Sequence, residues 1–223
     1  MTYTETITRD DETTTGRIGD AGALATLRRG KRLGAAVTAT PNGTITIVRT
    51  VLHLAGEDVT EAQVTVTLRP DAKPARLTKT QYEDLQRIRH AGKHAQLLPG
   101  GSIRGILCRI PPAAAKRLFD RGFVVTTGTE GRVEVSIAGL LAMTAFEHPA
   151  RTTRPRGWYF PTDEVVINRP RVQRMHAYQK SDFTSAAACP CGGLHATMDR
   201  RQYAVVAVRA HLTEQFSAAL IGA

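Results

Sequence analysis

Aromatic residues and cysteines are both scarce in this chain of 223 residues. Phe, Trp and Tyr together make up 5% of the sequence, whereas proteins that bind single strands by stacking bases usually present several aromatic rings. A broad base-stacking platform is therefore not expected. The three cysteines are an odd number, which argues against a disulfide framework and leaves metal binding or free thiols.

Long apolar runs are missing as well. The longest nearly apolar stretch, residues 137–146, is about half as long as the roughly 20 residues that a membrane-spanning helix needs. The N-terminal residues are rich in threonine and acidic side chains and have no cationic start followed by an apolar run, so no targeting leader is expected. These absences predict a cytoplasmic protein that does not bind membranes.

The sequence also lacks the common catalytic motifs. It has no Gly-x-x-x-x-Gly-Lys-Ser/Thr phosphate loop, no Gly-x-Gly-x-x-Gly and no Gly-x-Ser-x-Gly. The His-x-Glu and Cys-x-x-Cys pair of a zinc deaminase is absent, and His90 and His94 lack the intervening Glu of a metalloprotease helix. We therefore expect no enzymatic activity.

Basic residues outnumber acidic ones. Lys and Arg total 30 and Asp and Glu total 20, which gives a net charge of +10 at pH 7. Residues 73–121 alone carry eleven basic and three acidic side chains, an excess of eight positive charges. A basic patch of this size neutralises phosphates and releases counterions, so double-stranded DNA is the first partner that we expect. The alternative is a solvated basic face that serves only solubility.

Local patterns predict an α+β protein made of several modules. Residues 1–16 lack apolar periodicity and predict a disordered tail. Residues 17–70 predict a small α+β module with a helix capped by Asp20, a β-hairpin around the turn Pro41-Asn42-Gly43, and a third strand over residues 63–69.

The segment 75–147 predicts a helix, a short helix, a third helix, a two-stranded ribbon and a final apolar helix. Thr78 is the expected N-cap of the first helix. Residues 103–108 are the expected short second helix, and the third begins at the prolines 111 and 112 and ends at Gly122. The ribbon is predicted on either side of the turn at residues 128–131.

This order of elements resembles the MarR-like winged helix-turn-helix family over residues 77–147. The resemblance lies in Leu77-Thr-x-x-Gln81-x-x-x-Leu85, in Lys116-Arg-Leu-Phe-x-Arg-Gly-Phe-Val124 leading into the wing, and in Val135-Ser136-x-x-Gly139 after it. Residues 91–110 depart from the family pattern because they are rich in glycine. The resemblance implies a central winged helix-turn-helix domain that docks on duplex DNA.

The candidate DNA contacts are basic side chains of this domain and of the stretch that follows it. Residues 148–157 combine three arginines and two prolines with no acid, so they predict an extended basic linker that could also track a phosphate backbone. Arg132, at the tip of the predicted wing, either reaches the DNA or is simply solvated. The full set of candidates is Arg104, Arg109, Lys116, Arg117, Arg121, Arg132, Arg151, Arg154 and Arg156.

The clearest chemical motif is Cys189-Pro-Cys191-Gly-Gly-Leu-His195, followed by a predicted helix that carries His211. Two thiolates on a turn and a histidine on a helix suit one zinc ion. The expected ligands are Cys189, Cys191, His211 and, as the fourth, His195, with Glu214 and His176 as alternatives. Without a metal, Cys-Pro-Cys would be a reduced turn.

The motif is similar to short Cys-x-Cys-Gly zinc fingers of high-GC bacterial and phage proteins over residues 185–220. The resemblance implies a structural zinc in a C-terminal module, residues 158–223, built as a zinc-finger-like hairpin plus a long helix. The whole pattern predicts a sequence-specific DNA-binding regulatory protein without catalysis. The alternative is a phage-type accessory protein that binds a recombinase or polymerase through protein contacts, because winged helices are used both to bind DNA and to bind proteins.

Overall fold

The computed structural model contains two compact units, Met1–Phe146 with Phe216–Ala223 (unit 1) and Glu147–Gln215 (unit 2). Helices and strands are mixed in the chain, which confirms the predicted α+β class. The structure describes residues 1–40, 42–55, 58–72, 75–128, 130–149, 151–153, 185–198 and 201–222.

The first sheet of unit 1 has five antiparallel strands. The strands are β1 (Thr2–Arg9), β2 (Glu12–Gly19), β3 (Ala36–Ala39), β4 (Ile45–Ala55) and β5 (Asp58–Pro70), in the spatial order β2-β1-β5-β4-β3. Helix α1 (Asp20–Arg32) follows β2 directly and buries Leu24 and Leu27. The predicted hairpin is confirmed as β3 and β4, and Gly43 supplies the positive φ of its turn.

The prediction of a disordered tail over residues 1–16 is wrong. Strand β1 pairs with β2 along its whole length and with β5 on its other edge, and Tyr3 is buried. The many threonines of this segment suit a strand, and their partners in β5 lie about sixty positions away in the chain. The prediction that Asp20 caps α1 is also wrong, because Gly19 is the N-cap and the Asp20 carboxylate pairs with the amino group of Met1.

The second sheet of unit 1 is built from shorter strands. They are β6 (Gln96–Leu97), β7 (Ile103–Gly105), β8 (Cys108–Ile110), β9 (Val124–Thr127) and β10 (Arg132–Val135), in the order β8-β7-β6-β10-β9. Helices α2 (Lys79–Ala91), α3 (Pro112–Asp120) and α4 (Ile137–Glu147) accompany them, with a 3-10 turn at Gly92–His94. Thr78 caps α2, as predicted, and the structure adds that Gln81 completes a capping box with it.

Residues 103–108 do not form the predicted short helix. They belong to β7, a turn and the start of β8, because buried Ile103, Cys108 and Ile110 alternate with exposed Arg104 and Arg109. This alternation has the period of a strand. Strands and a 3-10 turn therefore lie between α2 and α3, and the predicted winged helix-turn-helix arrangement is not confirmed.

The segments 17–70 and 75–147 share one hydrophobic core. Residues of α1 and the first sheet and residues of α2, α3 and the second sheet belong to a single buried cluster, which also includes the end of the last helix. Its members include Leu27, Ile45, Leu68, Leu85, Ile110, Leu118, Phe123, Phe216 and Leu220. These segments are one compact unit and not two modules.

Unit 2 contains a three-stranded antiparallel sheet in the order β11-β12-β13. Its strands are β11 (Arg151–Thr153), β12 (Ser185–Cys189) and β13 (Leu194–Met198). The predicted linker 148–157 thus supplies a strand, since β-branched Thr152 and Thr153 pair with β12; residues 154–157 lie outside the described residues. Helix α5 (Arg201–Ile221) follows. Among the described helices, none has the length and apolar character of a membrane span.

Candidate metal centre and basic face

Four side chains of unit 2 come together as a group that could hold a metal ion: His148, Cys189, Cys191 and His211. Their ligand atoms all lie within 4.8 Å of one another. Cys189 ends β12, Cys191 lies in the turn before β13, His211 projects from α5, and His148 lies between α4 and β11. Two cysteines and two histidines make the donor set that zinc prefers in proteins.

The turn between β12 and β13 brings the two thiols to one side. Gly192 adopts a φ of +79° and donates a 3.1 Å hydrogen bond to the Cys189 carbonyl. The Gly193 amide donates to the Cys191 Sγ at 3.3 Å. A β-carbon at Gly193 would lie 3.3 Å from the His211 ring, so both glycines of the motif have a physical role: one permits the turn, and the other leaves room for the imidazole.

Two sulfur-to-nitrogen distances in the group are close to those of a tetrahedral site. The Sγ of Cys189 lies 3.8 Å from Nδ1 of His148, and the Sγ of Cys191 lies 3.4 Å from Nε2 of His211. Bonds of about 2.3 Å from zinc to sulfur and about 2.05 Å to nitrogen, at the tetrahedral angle, place sulfur and nitrogen about 3.6 Å apart. The two rings meet edge to face with centroids 5.7 Å apart.

Burial affects the protonation of two members of the group, Cys189 and His211. Burial and the neighbouring His148 lower the pKa of His211, against an opposing effect of Glu214, which favours the neutral imidazole with a lone pair to donate. Burial also raises the pKa of the Cys189 thiol, and a divalent cation reverses that effect by stabilising the thiolate. The centre combines a buried pair, Cys189 and His211, with a more accessible pair, His148 and Cys191.

Three of the four expected ligands belong to this group, and the fourth does not. His195 lies exposed on β13 opposite Ala188, and Glu214 is exposed on α5 outside the group. His176 lies outside the described residues. The fourth member is His148, which the sequence motif missed. The strand-forming Arg-Thr-Thr at residues 151–153, three positions further along the chain, is the local signal that the segment joins the sheet.

The residues expected to contact DNA lie in several different parts of the structure. On α3, Lys116 pairs with Asp120 at 2.6 Å and Arg117 is exposed. Arg121, the C-cap of α3, donates to the Arg76 carbonyl at 3.3 Å. Arg151 lies in β11, and Arg154 and Arg156 lie outside the described residues. The remaining three, Arg104, Arg109 and Arg132, lie together on the second sheet.

A single row of paired residues crosses the second sheet. Because directly opposed residues share a face of a sheet, the members lie on one face; in the order of the strands they are Arg109, Arg104, Gln96, Arg132 and Thr127. We call this set the arginine row. At its β10 side, Arg132 pairs with the buried carboxylate of Glu134 at 2.9 Å, and Arg28 of α1 pairs with the same carboxylate.

The other end of the arginine row is uncompensated. Arg104 and Arg109 are exposed and directly opposite one another. Within the described parts of the chain, neither side chain has an ion pair. Like charges in this position repel each other, so an anion between the two guanidinium groups would relieve the repulsion.

Comparison with protein-family models, with curated proteins and with solved structures gives no match for this chain.

Proposed function

We propose that this protein binds double-stranded DNA through the face of the second sheet that carries the arginine row, and that it acts as a sequence-specific regulator by occupancy, without catalysis. The single observation that carries the proposal is the uncompensated pair Arg104 and Arg109. The proposal also includes a structural zinc ion in the four-residue group of unit 2.

The surroundings of the arginine pair support a polyanionic partner. Residues 85–119 contain seven basic residues and no Asp or Glu. Arginine offers a planar fork of donors that fits phosphate oxygens and guanine edges with two hydrogen bonds. A sheet face that held its arginines only for solubility would gain nothing from placing two of them in register, because the repulsion would oppose the pairing of β7 with β8.

A closed set of four protein ligands supports a structural role for the metal. Catalytic zinc sites keep one position open for water or substrate, whereas structural sites fill all four with protein groups. His148, Cys189, Cys191 and His211 supply four donors, which leaves no position for chemistry. Zinc is the metal proposed because mixed thiolate and imidazole ligation in a tetrahedron is typical of it.

Titration of a fluorescently labelled duplex tests the DNA proposal. The parent protein should bind tightly at about 50 mM salt and lose affinity steeply as the salt rises. The double variant Arg104→Gln/Arg109→Gln should bind more weakly, and the slope of log affinity against log salt should fall by about 2, since each lost phosphate contact removes about 0.9.

The matched control removes the same charge elsewhere in unit 1. Arg17 and Arg69 are exposed arginines of the first sheet, so Arg17→Gln/Arg69→Gln should leave the salt slope near that of the parent. Equal losses of affinity in both double variants would show that only net charge matters and would contradict the proposed face.

A parent that binds no duplex at about 50 mM salt but retains a protein partner after nuclease treatment would favour the accessory-protein alternative. Selection of bound sequences from a random pool tests specificity.

A further inference from the structure

The turn that joins β7 to β8 exposes two large apolar side chains. Gly105 and Cys108 are paired, so the turn consists of Ile106 and Leu107 alone. Ile106 is 60% exposed and Leu107 is 94% exposed. Neither side chain contributes to the core, and both lie at the end of a hairpin.

Leu107 also has an unfavourable backbone conformation. Its φ is +55°, in the left-handed region that glycine and asparagine adopt readily and that a leucine β-carbon opposes. Glycine would fit this turn position without strain. A strained leucine with an almost fully solvated side chain lowers the stability of the free protein, and contact with an apolar partner would offset that loss.

The base of the hairpin is fixed firmly. Ile103 and Ile110 are fully buried, and Cys108 is almost fully buried. A β-carbon at Gly105 would lie 2.8 Å from the His94 carbonyl oxygen and 3.0 Å from Cβ of Ala91, so the backbone of β7 packs closely on the end of α2 and the 3-10 turn. The apolar tip therefore projects from a rigid support.

On each strand the arginine of the pair is separated from this tip by one residue. Arg104 precedes Gly105 and Arg109 follows Cys108, and the two are directly opposite. Adjacent strands lie about 4.8 Å apart, so the two arginines stand side by side on one face of the hairpin, at the base of the apolar tip. Duplex DNA presents the matching chemistry: charged phosphates beside a stack of apolar base faces.

We infer that the β7–β8 hairpin is a DNA wedge: Leu107, with Ile106 beside it, inserts at a base step from the minor groove and unstacks it, while Arg104 and Arg109 hold the flanking phosphates. The inference rests on the proposed DNA binding and adds the mode of contact. A narrow minor groove has a negative potential that attracts arginine side chains. A membrane surface is less well matched, because the tip has no aromatic side chain to anchor it in an interface.

The test measures unstacking and bending separately from affinity. The probe is a duplex of about 30 base pairs with 2-aminopurine at central steps and a donor and acceptor dye at its ends. Binding of the parent protein should raise 2-aminopurine fluorescence and bring the dyes closer. Leu107→Gly, which also relieves the backbone strain, should still bind with the salt slope of the parent but should lose both signals.

Leu33→Gly is the matched control, because Leu33 is a second exposed leucine, 52% exposed at the end of α1, and this variant should retain both signals. Binding without unstacking by the parent, or signals that persist in Leu107→Gly, would overturn the wedge and leave the proposed DNA binding intact. Absence of duplex binding by the parent would overturn both. Sedimentation with phosphatidylserine vesicles that depends on Leu107, without DNA unstacking, would replace the wedge with membrane insertion.

Discussion

Gly139 in α4 occupies a position where no side chain fits. A β-carbon there would collide with the carbonyl oxygen of Phe123 and lie 2.7 Å from Cγ1 of Val135. The Gly139 amide donates a 3.0 Å hydrogen bond to Ser136 Oγ, which donates in turn to the Gly122 carbonyl at 2.5 Å. The pair Ser136 and Gly139, which the sequence motif singled out, thus caps α4 and lets its first turn pack against the chain before β9.

Replacement of Gly139 by alanine should destabilise unit 1. The new methyl group meets backbone that cannot rotate away, so the free energy of unfolding should fall by at least about 1–3 kcal/mol. Denaturation in urea, followed by circular dichroism, measures the change. Gly16→Ala is the control, because a β-carbon at Gly16 meets nothing within 4 Å, and it should keep or slightly raise the stability. Equal stabilities of the two variants would show that α4 can shift to make room.

Residue types predicted three members of the metal group but not the fourth. Cys189 and Cys191 are separated by one residue and His211 lies on the next helix, so their proximity follows from local chain geometry. His148 lies 41 positions before Cys189 in the chain. It approaches the thiols because β11 pairs with β12, and a non-local pairing of this kind leaves no spacing rule in the sequence.

At the scale of elements, the strong local signals were reliable. Thr78 predicted the start of α2, the prolines at the start of α3 and the glycine after it predicted both of its ends, and the turn around Gly43 predicted β3 and β4. Each of these signals acts within a few residues of its own position: a cap, a fixed φ or a positive φ.

The elements that sequence reasoning missed depend on distant partners. Strands β1 and β2 contain few apolar residues, and β1 is stabilised by pairing with β5. Strands β7 and β8 have three residues each, too few to show their period of two clearly among the glycines of residues 91–110. In both cases the hydrogen-bond partners are other strands of the sheet, so the local sequence alone does not predict the strand.

Two elements, β12 and α5, and two connecting segments contribute side chains to the metal centre, so the loss of any one of the four tests the zinc proposal. Removal of one ligand, as in His148→Ala or Cys191→Ser, should weaken zinc binding by more than about 100-fold, since even changes outside the ligands cost 10-fold to 100-fold in metal affinity. Competition with a chromogenic chelator measures the affinity, and elemental analysis measures the zinc content.

His195→Ala provides the matched comparison, because His195 lies on the same hairpin but outside the four-residue group. It should bind zinc as the parent does. Zinc loss in His195→Ala together with retention in His148→Ala would restore His195 as the ligand and remove His148. A purified parent protein without stoichiometric zinc would refute the zinc proposal altogether.

At the scale of the whole molecule, the two units differ in how they are stabilised. The buried cluster of unit 1 includes large side chains such as Phe123, Leu85 and Ile110. Among the described residues of unit 2, the buried apolar side chains are small; they are Ala187, Ala188, Cys189 and Ala204. Burial of an alanine removes little apolar area from water. A bound metal would supply the stability that such a core lacks.

Removal of the metal should therefore loosen unit 2 and leave unit 1 folded. Hydrogen exchange followed by mass spectrometry, with and without a strong zinc chelator, reads the two units separately. Peptides from β12 and β13 should lose protection, because a metal bound to Cys189 and Cys191 no longer holds the turn between the two strands. Peptides from α2 and β10 should exchange as before, since the core around them does not include the metal. Re-addition of zinc should restore the protection. An equal loss of protection in both units would show that the large core of unit 1 depends on the metal as well. Unchanged exchange in β12 and β13 would show that the hydrogen bonds between these strands keep them folded without the metal.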